Sequence, residues 1–160
     1  TPSTPRPGRR QALLCGIALL LPAAARAQAR AAAGPLVEIW KSPTCGCCKD
    51  WVAHLEANGF RTLVRDNGNA QIRSRLGVAP QYGGCHTALV GGYAIEGHVP
   101  AADIRRLLKE RPKAVGLAVP GMPVGAPGMD GPAYGGHKDP YDVLLLVAAH
   151  GDARVYQTYR

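Results

Sequence analysis

Aromatic residues and methionine are scarce in this sequence, and its basic charge is concentrated in one segment. Aromatic side chains make up 6% of the 160 residues, and there are two methionines. Residues 1–27 carry four arginines and no acid, and without them the net charge of +8 falls to +4. Nucleic-acid-binding surfaces combine clustered basic residues with interleaved aromatics, so the composition argues against a nucleic-acid partner. The length suffices for one domain with its own core.

The N-terminal region lacks an apolar run that is long enough to span a bilayer. A spanning helix needs about 20 apolar residues, and the run Ala12–Ala25 is shorter. Arg9 and Arg10 precede it, and small residues that fit a cleavage site follow it. This order is typical of a signal peptide, and the arginine pair is typical of the export route for folded proteins. We predict a signal peptide over residues 1–27 and a tether over 28–34; an uncleaved membrane anchor is the alternative.

Hydrophobic periodicity predicts strands and helices in the chain that follows the tether. Alternating apolar residues indicate strands, and apolar residues three or four apart indicate helices that end at glycine. The predicted strands cover residues 35–41, 60–65, 86–90 and 93–97, and the predicted helices cover 48–55, 70–76 and a segment that begins at Pro100. Gly91-Gly92 joins the last two strands and is the dipeptide that a tight hairpin turn favours.

Residues 120–140 have a different composition, because eleven of these 21 residues are glycine or proline. Such a segment is a loop, and the alternating residues of 141–160 predict a terminal hairpin. The order strand, helix, strand, helix, strand, strand, helix is that of thioredoxin. We therefore predict one α/β domain over residues 35–160, thioredoxin-like (βαβ-α-ββα), with a Gly/Pro-rich loop and a C-terminal β-hairpin.

Three of the five cysteines lie within four positions, at Cys45, Cys47 and Cys48. They follow the first predicted strand and occupy the first turn of the first helix. The unpaired backbone N–H groups and the positive end of the helix dipole favour thiolate there. Cys85 is a fourth cysteine, in the loop before the third predicted strand. Cys15 lies in the predicted signal peptide and is excluded from the chemistry.

Three chemistries are compatible with these four cysteines. Cys45 and Cys48 have the spacing of a redox dithiol, with Cys45 as nucleophile and Cys48 as resolving thiol. Cys47 would then be a spare thiol that invites disulfide exchange, whereas a metal site uses all four sulfurs. In an oxidising compartment, structural disulfides that close an interaction domain are the third alternative. The third sulfur favours the metal site, and the other two interpretations stay open.

The crowding of the sulfurs favours a soft metal ion. A tetrahedral Zn²⁺ site usually takes pairs of ligands from two separate knuckles, and the spacing is unfamiliar for an iron–sulfur cluster. Cu(I) prefers thiolate and thioether ligands, and sulfurs that bridge several Cu(I) ions relieve the crowding. We predict Cu(I) in a multinuclear cluster, and we expect Ag(I) to behave in the same way.

Four motifs follow one another along the chain: Thr44–Trp51, Cys85–Ala88, Glu96–Pro100 and Gly116–Met129. Together they resemble the CopG-like family of exported, thioredoxin-like, metal-binding proteins associated with bacterial copper and silver resistance. The resemblance covers about residues 35–160 and implies a thioredoxin-like fold and a periplasmic location. It implies copper ions and other periplasmic copper-handling proteins as partners, with no membrane contact after processing. The Cu(I) ligands that it implies are Cys45, Cys47, Cys48 and Cys85.

One departure from thioredoxins bears on function. Thioredoxins carry a cis-proline before the third strand, which docks peptide substrates. This chain has Gly83-Gly84-Cys85 there, and the nearest proline is Pro80. The replacement lowers the case for a thiol–disulfide enzyme. Storage, chaperoning and redox conversion of copper all stay open as the biochemical task.

Methionine and histidine supply the further candidate ligands. Met122 and Met129 lie in the Gly/Pro-rich loop, where they either anchor the loop to apolar surface or donate thioether sulfur to copper. His86 either hydrogen-bonds to backbone at the start of its strand, or it orients the neighbouring Cys85 or adds a ligand. We predict a structural role for His98. His137 approaches the site only if the loop folds back.

Overall fold

Residues 34–160 are described by a computed structural model. The strands are β1 (Leu36–Lys41), β2 (Arg61–Arg65), β3 (His86–Val90), β4 (Tyr93–Glu96), β5 (Gly116–Ala118), β6 (Tyr141–Leu146) and β7 (Ala153–Tyr159). The α-helices are α1 (Gly46–Ala57), α2 (Ala70–Arg75) and α3 (Ala101–Glu110). Two single 3₁₀ turns, Pro80–Tyr82 and Pro132–Tyr134, lie in the connecting loops. The predicted signal peptide, with Cys15, and all but the last residue of the predicted tether lie outside the described residues.

The described strands form one mixed sheet in the order β2-β1-β3-β4-β5-β6-β7. β1 pairs with β2 and β4 pairs with β5 in parallel, and the other neighbours are antiparallel. Parallel neighbours need a crossover connection, which α1 and α3 provide. The predicted α/β class and the terminal hairpin, β6 with β7, are therefore confirmed.

The sheet register places one buried apolar row across five strands. Paired residues share a face of the sheet, and the row consists of Ile39, Ala88, Ile95, Leu117 and Leu145. α1 and α3 cover this face with buried apolar side chains of their own. Each fully buried Ile or Leu stabilises the fold by about 1.5–3 kcal/mol, so this row fixes the register of the strands around the cysteines.

Helix α1 begins directly after the loop that leaves β1. Its apolar face comprises the buried Cys48, Trp51 and Leu55, in agreement with the predicted spacing. Gly59 ends the segment in the left-handed region, with φ 77°, which glycine adopts without steric cost. The Trp51 indole N–H donates to the Val99 carbonyl at 2.9 Å, so the core pins the helix that carries three cysteines.

The structure differs from the sequence prediction around β5. The sequence predicts no strand at residues 116–118, yet these residues form a strand between β4 and β6. A three-residue strand carries too few positions for a period of two to be visible. Among the described residues, no helix is long and apolar enough to cross a membrane.

Candidate metal centre

The first three cysteines lie where β1 gives way to α1. The Cys45 amide donates to the Ser42 carbonyl at 3.1 Å, which closes the turn, and Cys45 is the N-cap of α1. Cys45 and Cys48 are joined by a disulfide, as their Cys-x-x-Cys spacing allows. The Cys47 sulfur lies 3.6 Å from that of Cys45.

The pairing of β1 with β3 brings the fourth cysteine to this turn. Lys41 at the end of β1 pairs with His86 at the start of β3, and Cys85 directly precedes that pair. The Cys85 sulfur is 3.4 Å from that of Cys48 and 3.9 Å from that of Cys47. The four sulfurs lie within 4.8 Å of one another. The structure therefore gathers all four predicted cysteines into one cluster that could hold a metal.

The cluster is half oxidised in this structure. Within residues 34–160, Cys47 and Cys85 are free thiols beside the Cys45–Cys48 disulfide. An interaction domain closed by disulfides predicts no free thiols, so these two count against that interpretation. A site with four thiolate ligands requires reduction of one disulfide.

Two buried histidines contact the Cys85 sulfur. His86 Nδ1 and His98 Nε2 each lie 3.2 Å from it. The Pro127 carbonyl lies 2.8 Å from His98 Nδ1, so Nδ1 carries the proton and the Nε2 lone pair faces the sulfur. His86 Nε2 is buried and has no hydrogen-bond partner among the described residues. Cys85, His86 and His98 thus form a second donor group that shares one sulfur with the first.

The proximity of His98 to Cys85 was not predicted, although the sequence contains a signal for it. In the hairpin, Val90 pairs with Tyr93 and Thr87 pairs with Glu96. Counting two residues further from the Gly91-Gly92 turn places position 85 opposite position 98. The predicted turn therefore carries enough information to place His98 beside the cysteine.

Burial keeps this side of the site neutral. Burial first, and the neighbouring Cys47 second, raise the pKa of the Cys85 thiol to about 12. Burial lowers the pKa of His86 to about 3, and it also lowers the pKa of His98. Neutral imidazoles keep a lone pair for a metal ion, and a bound cation must displace the thiol proton. Cys85 can therefore bind a metal ion by releasing its thiol proton, and the neutral imidazoles can bind one through a free lone pair.

The Gly/Pro-rich loop lies over the first turn of α1. A Cβ on Gly128 would lie 2.7 Å from the Trp51 amide nitrogen and 2.8 Å from the Cys47 carbonyl oxygen. Met129 is buried, and its sulfur accepts a hydrogen bond from the Tyr134 hydroxyl at 3.2 Å. Met122 is 54% exposed, which contradicts the expectation that it anchors the loop on apolar surface.

His137 lies away from the cysteines. It is exposed on the loop, with Nε2 2.9 Å from the Asp139 carboxylate. The loop folds back over α1 through residues 126–129, and His137 does not contact the cluster in the part of the chain that the structure describes. We therefore leave it out of the candidate ligands.

The Gly128 contact predicts a specific loss of order in this loop. Gly128→Ala places a methyl group against the backbone of α1, at a residue with φ +83°, and we expect it to destabilise the protein by about 1–3 kcal/mol and to expose the loop to proteolysis. Gly131→Ala is the matched control, since Gly131 has φ −72° and a Cβ there meets no described atom within 4 Å. Equal proteolysis of both variants would contradict the packing of the loop on α1.

Comparisons with known proteins agree with this site. A family model described as a protein of unknown function, DUF411, matches residues 82–129, and no curated protein matches the chain. Two solved structures are similar, both titled copper resistance protein CopG, Form 1 and Form 2. Form 1 is 46% identical with a TM-score of 0.70, and the match covers 78% of this chain and 96% of that one. Form 2 is 47% identical with a TM-score of 0.69, and the match covers 79% and 99%. With this identity and coverage, the chain belongs to the CopG family of copper resistance proteins.

Proposed function

We propose that this protein binds Cu(I) through Cys45, Cys47, Cys48 and Cys85 once the Cys45–Cys48 disulfide is reduced. The observation that carries the proposal is the cluster of four sulfur atoms within 4.8 Å of one another. Two elements far apart in sequence supply these sulfurs, and the pairing of β1 with β3 holds them together. After reduction, the protein therefore presents four clustered sulfur ligands rather than a single reactive dithiol.

The donor set fits a soft ion. Soft thiolates favour Cu(I), zinc and iron–sulfur clusters, and the crowding of these four sulfurs favours Cu(I) among the three. Copper is here the cargo of the protein. Sulfurs at separations of 3.4–3.9 Å across the cluster are close enough to share ions, which supports a multinuclear Cu(I) cluster. Ag(I), which is also a soft ion, is expected to bind the same four cysteines.

Histidine is the stronger candidate for additional ligation. His86 and His98 place ring nitrogens 3.2 Å from the Cys85 sulfur, and burial keeps both rings neutral. Met129 follows, since its buried sulfur already accepts a hydrogen bond from Tyr134. Met122, which is exposed, has the least support.

The cellular role follows from the sequence and from the relatives. Similar proteins are titled copper resistance proteins, and residues 1–27 have the features of an export signal. We infer a periplasmic, thioredoxin-like protein that takes up excess copper and exchanges it with other periplasmic copper-handling proteins. The βαβ and ββα halves around the cysteines support the thioredoxin-like assignment.

The disulfide supports copper redox chemistry as a second candidate function. Oxidation of the Cys45 and Cys48 thiols breaks two S–H bonds, forms one S–S bond and releases two protons and two electrons. Two Cu(II) ions accept these electrons and become Cu(I), which the thiolates of Cys47 and Cys85 are placed to receive. The same disulfide is compatible with a thiol–disulfide oxidoreductase, for which rapid reduction of insulin disulfides is the test.

Anaerobic copper loading tests the first proposal. The processed protein is reduced, its thiols are counted, and Cu(I) is added against a chromophoric Cu(I) chelator. We expect four titratable thiols and several Cu(I) ions per chain by elemental analysis. Trace copper together with a re-formed Cys45–Cys48 disulfide would reject the copper-binding function and favour the dithiol enzyme.

A further inference from the structure

The residue before Cys85 is held at both of its backbone polar groups. The Gly84 amide donates to Glu96 Oε1 at 2.7 Å, and the Gly84 carbonyl accepts from Arg73 Nη2. Arg73 Nε donates to the same Glu96 oxygen at 2.8 Å. The Arg73–Glu96 ion pair therefore hydrogen-bonds to the peptide units on both sides of Gly84.

Glu96 is the centre of this arrangement. It lies at the end of β4 and is fully buried, whereas Arg73 on α2 is partly exposed. Its second carboxylate oxygen accepts from the Thr87 hydroxyl at 2.6 Å. Both carboxylate oxygens thus have partners, as a buried charge requires. α2, β3 and β4 all converge on this one side chain.

Close packing removes the remaining freedom of the segment. A Cβ on Gly84 would lie 2.7 Å from the Gly97 Cα, so only glycine lets the two backbones approach. The Gly97 amide donates to the His86 carbonyl at 3.0 Å, which extends the hairpin pairing beyond Thr87 and Glu96. Cys85 therefore lies between Gly84, which is hydrogen-bonded at both its amide and its carbonyl, and His86, which is paired in the sheet.

We propose that Arg73 and Glu96 are positioning residues that fix the Cys85 sulfur opposite the α1 cysteines before copper arrives. This inference rests on the proposed Cu(I)-binding function. Neither side chain supplies a ligand, because both are engaged with Gly84 and with each other. Their contribution is to hold the distant fourth sulfur at bonding distance from a shared ion, so that binding does not have to order the loop.

A purely structural ion pair would affect stability alone, so the test separates copper binding from folding. Arg73→Lys keeps the positive charge but has no planar fork to contact Glu96 and Gly84 together. We expect it to bind Cu(I) at least tenfold more weakly in chelator competition, with a changed Cu–thiolate absorption spectrum. Its thermal midpoint and the rate at which the Cys45–Cys48 disulfide forms should stay close to those of the unsubstituted protein.

Arg106→Lys is the matched control. Arg106 Nε donates to Glu110 Oε1 at 2.7 Å, in the same geometry but on the exposed face of α3. We expect its copper affinity and spectrum to equal those of the unsubstituted protein. A change of less than tenfold in folded Arg73→Lys, or an equal change in Arg106→Lys, overturns the inference.

Hydrogen exchange on the unsubstituted protein decides the matter if Arg73→Lys does not fold. The inference requires the Gly84 amide to be protected in the reduced, copper-free protein as strongly as in the copper-loaded one. Protection that appears only after Cu(I) is added would show that copper orders the segment, and would overturn it. Absence of copper binding by the unsubstituted protein would instead reject the proposed function, so the two failures are distinguishable.

Discussion

Cys85→Ser is expected to weaken Cu(I) binding at least about 100-fold, the upper end of the loss caused by removing a residue that only supports a metal site. Serine offers a hard, neutral oxygen in place of a soft thiolate, and Cu(I) discriminates strongly between them. The Cys85 sulfur also lies within 3.9 Å of both the Cys47 and Cys48 sulfurs. Its loss should therefore release several copper ions together, as measured by elemental analysis after anaerobic loading.

The same variant separates the cluster from the dithiol. Cys45 and Cys48 are unchanged in Cys85→Ser, so the disulfide between them should still form. Tyr82→Phe is the matched control, since it removes one oxygen atom from the same loop and leaves every sulfur in place. Full copper loading of Cys85→Ser would reject the four-sulfur site.

Trp51→Ala is expected to lower the free energy of unfolding by about 3–5 kcal/mol. Trp51 is fully buried, it donates to the Val99 carbonyl, and its ring centroid lies 4.2 Å from that of His86. The substitution removes the ring that connects α1 to the histidine side of the site. Guanidinium unfolding of the oxidised protein measures the loss. Trp51→Phe keeps an aromatic ring but removes the N–H donor, whose hydrogen bond contributes about 1 kcal/mol, and part of the ring volume, so we expect a smaller loss than for Trp51→Ala.

Trp40→Ala provides the control for this substitution. Trp40 is half-buried on the opposite face of β1, where the Arg65 guanidinium lies 6.0 Å from its ring centroid. We expect a loss below about 2 kcal/mol, because a surface-facing ring leaves a smaller cavity. Equal losses for the two tryptophan variants would contradict the assignment of Trp51 to the core.

Local patterns in the sequence predict most of the elements. The Gly91-Gly92 hairpin, the start of α1 after β1 and the stop at Gly59 follow from turn chemistry and helical spacing. β5 does not, because a three-residue strand gains its identity from the strands on either side of it. The same limit applies to the joining of the terminal hairpin to the main sheet, which depends on the pairing of Leu117 with Leu145.

The sequence likewise predicts some residues of the candidate site and not others. The cysteine spacing and a recognisable set of motifs identify all four sulfurs, but composition alone does not choose among the disulfide pairings. The Arg73–Glu96 pair was not predicted, since its two residues belong to different elements and resemble ordinary surface charges. The position of His98 beside Cys85 is an intermediate case. The register of the hairpin predicts it, although the residues next to His98 in the sequence do not.

The position of β2 at the edge of the described sheet affects how copies of the protein meet. Leu63 and Val64 are exposed there, and an open strand edge with apolar side chains is a template for intermolecular pairing. Arg61 and Arg65 flank them, so an antiparallel match of β2 with its own copy brings arginine against arginine. Like charges directly opposite destabilise a strand pair, and added salt screens them. The protein should therefore resist aggregation through this edge in dilute buffer and lose that protection as ionic strength rises.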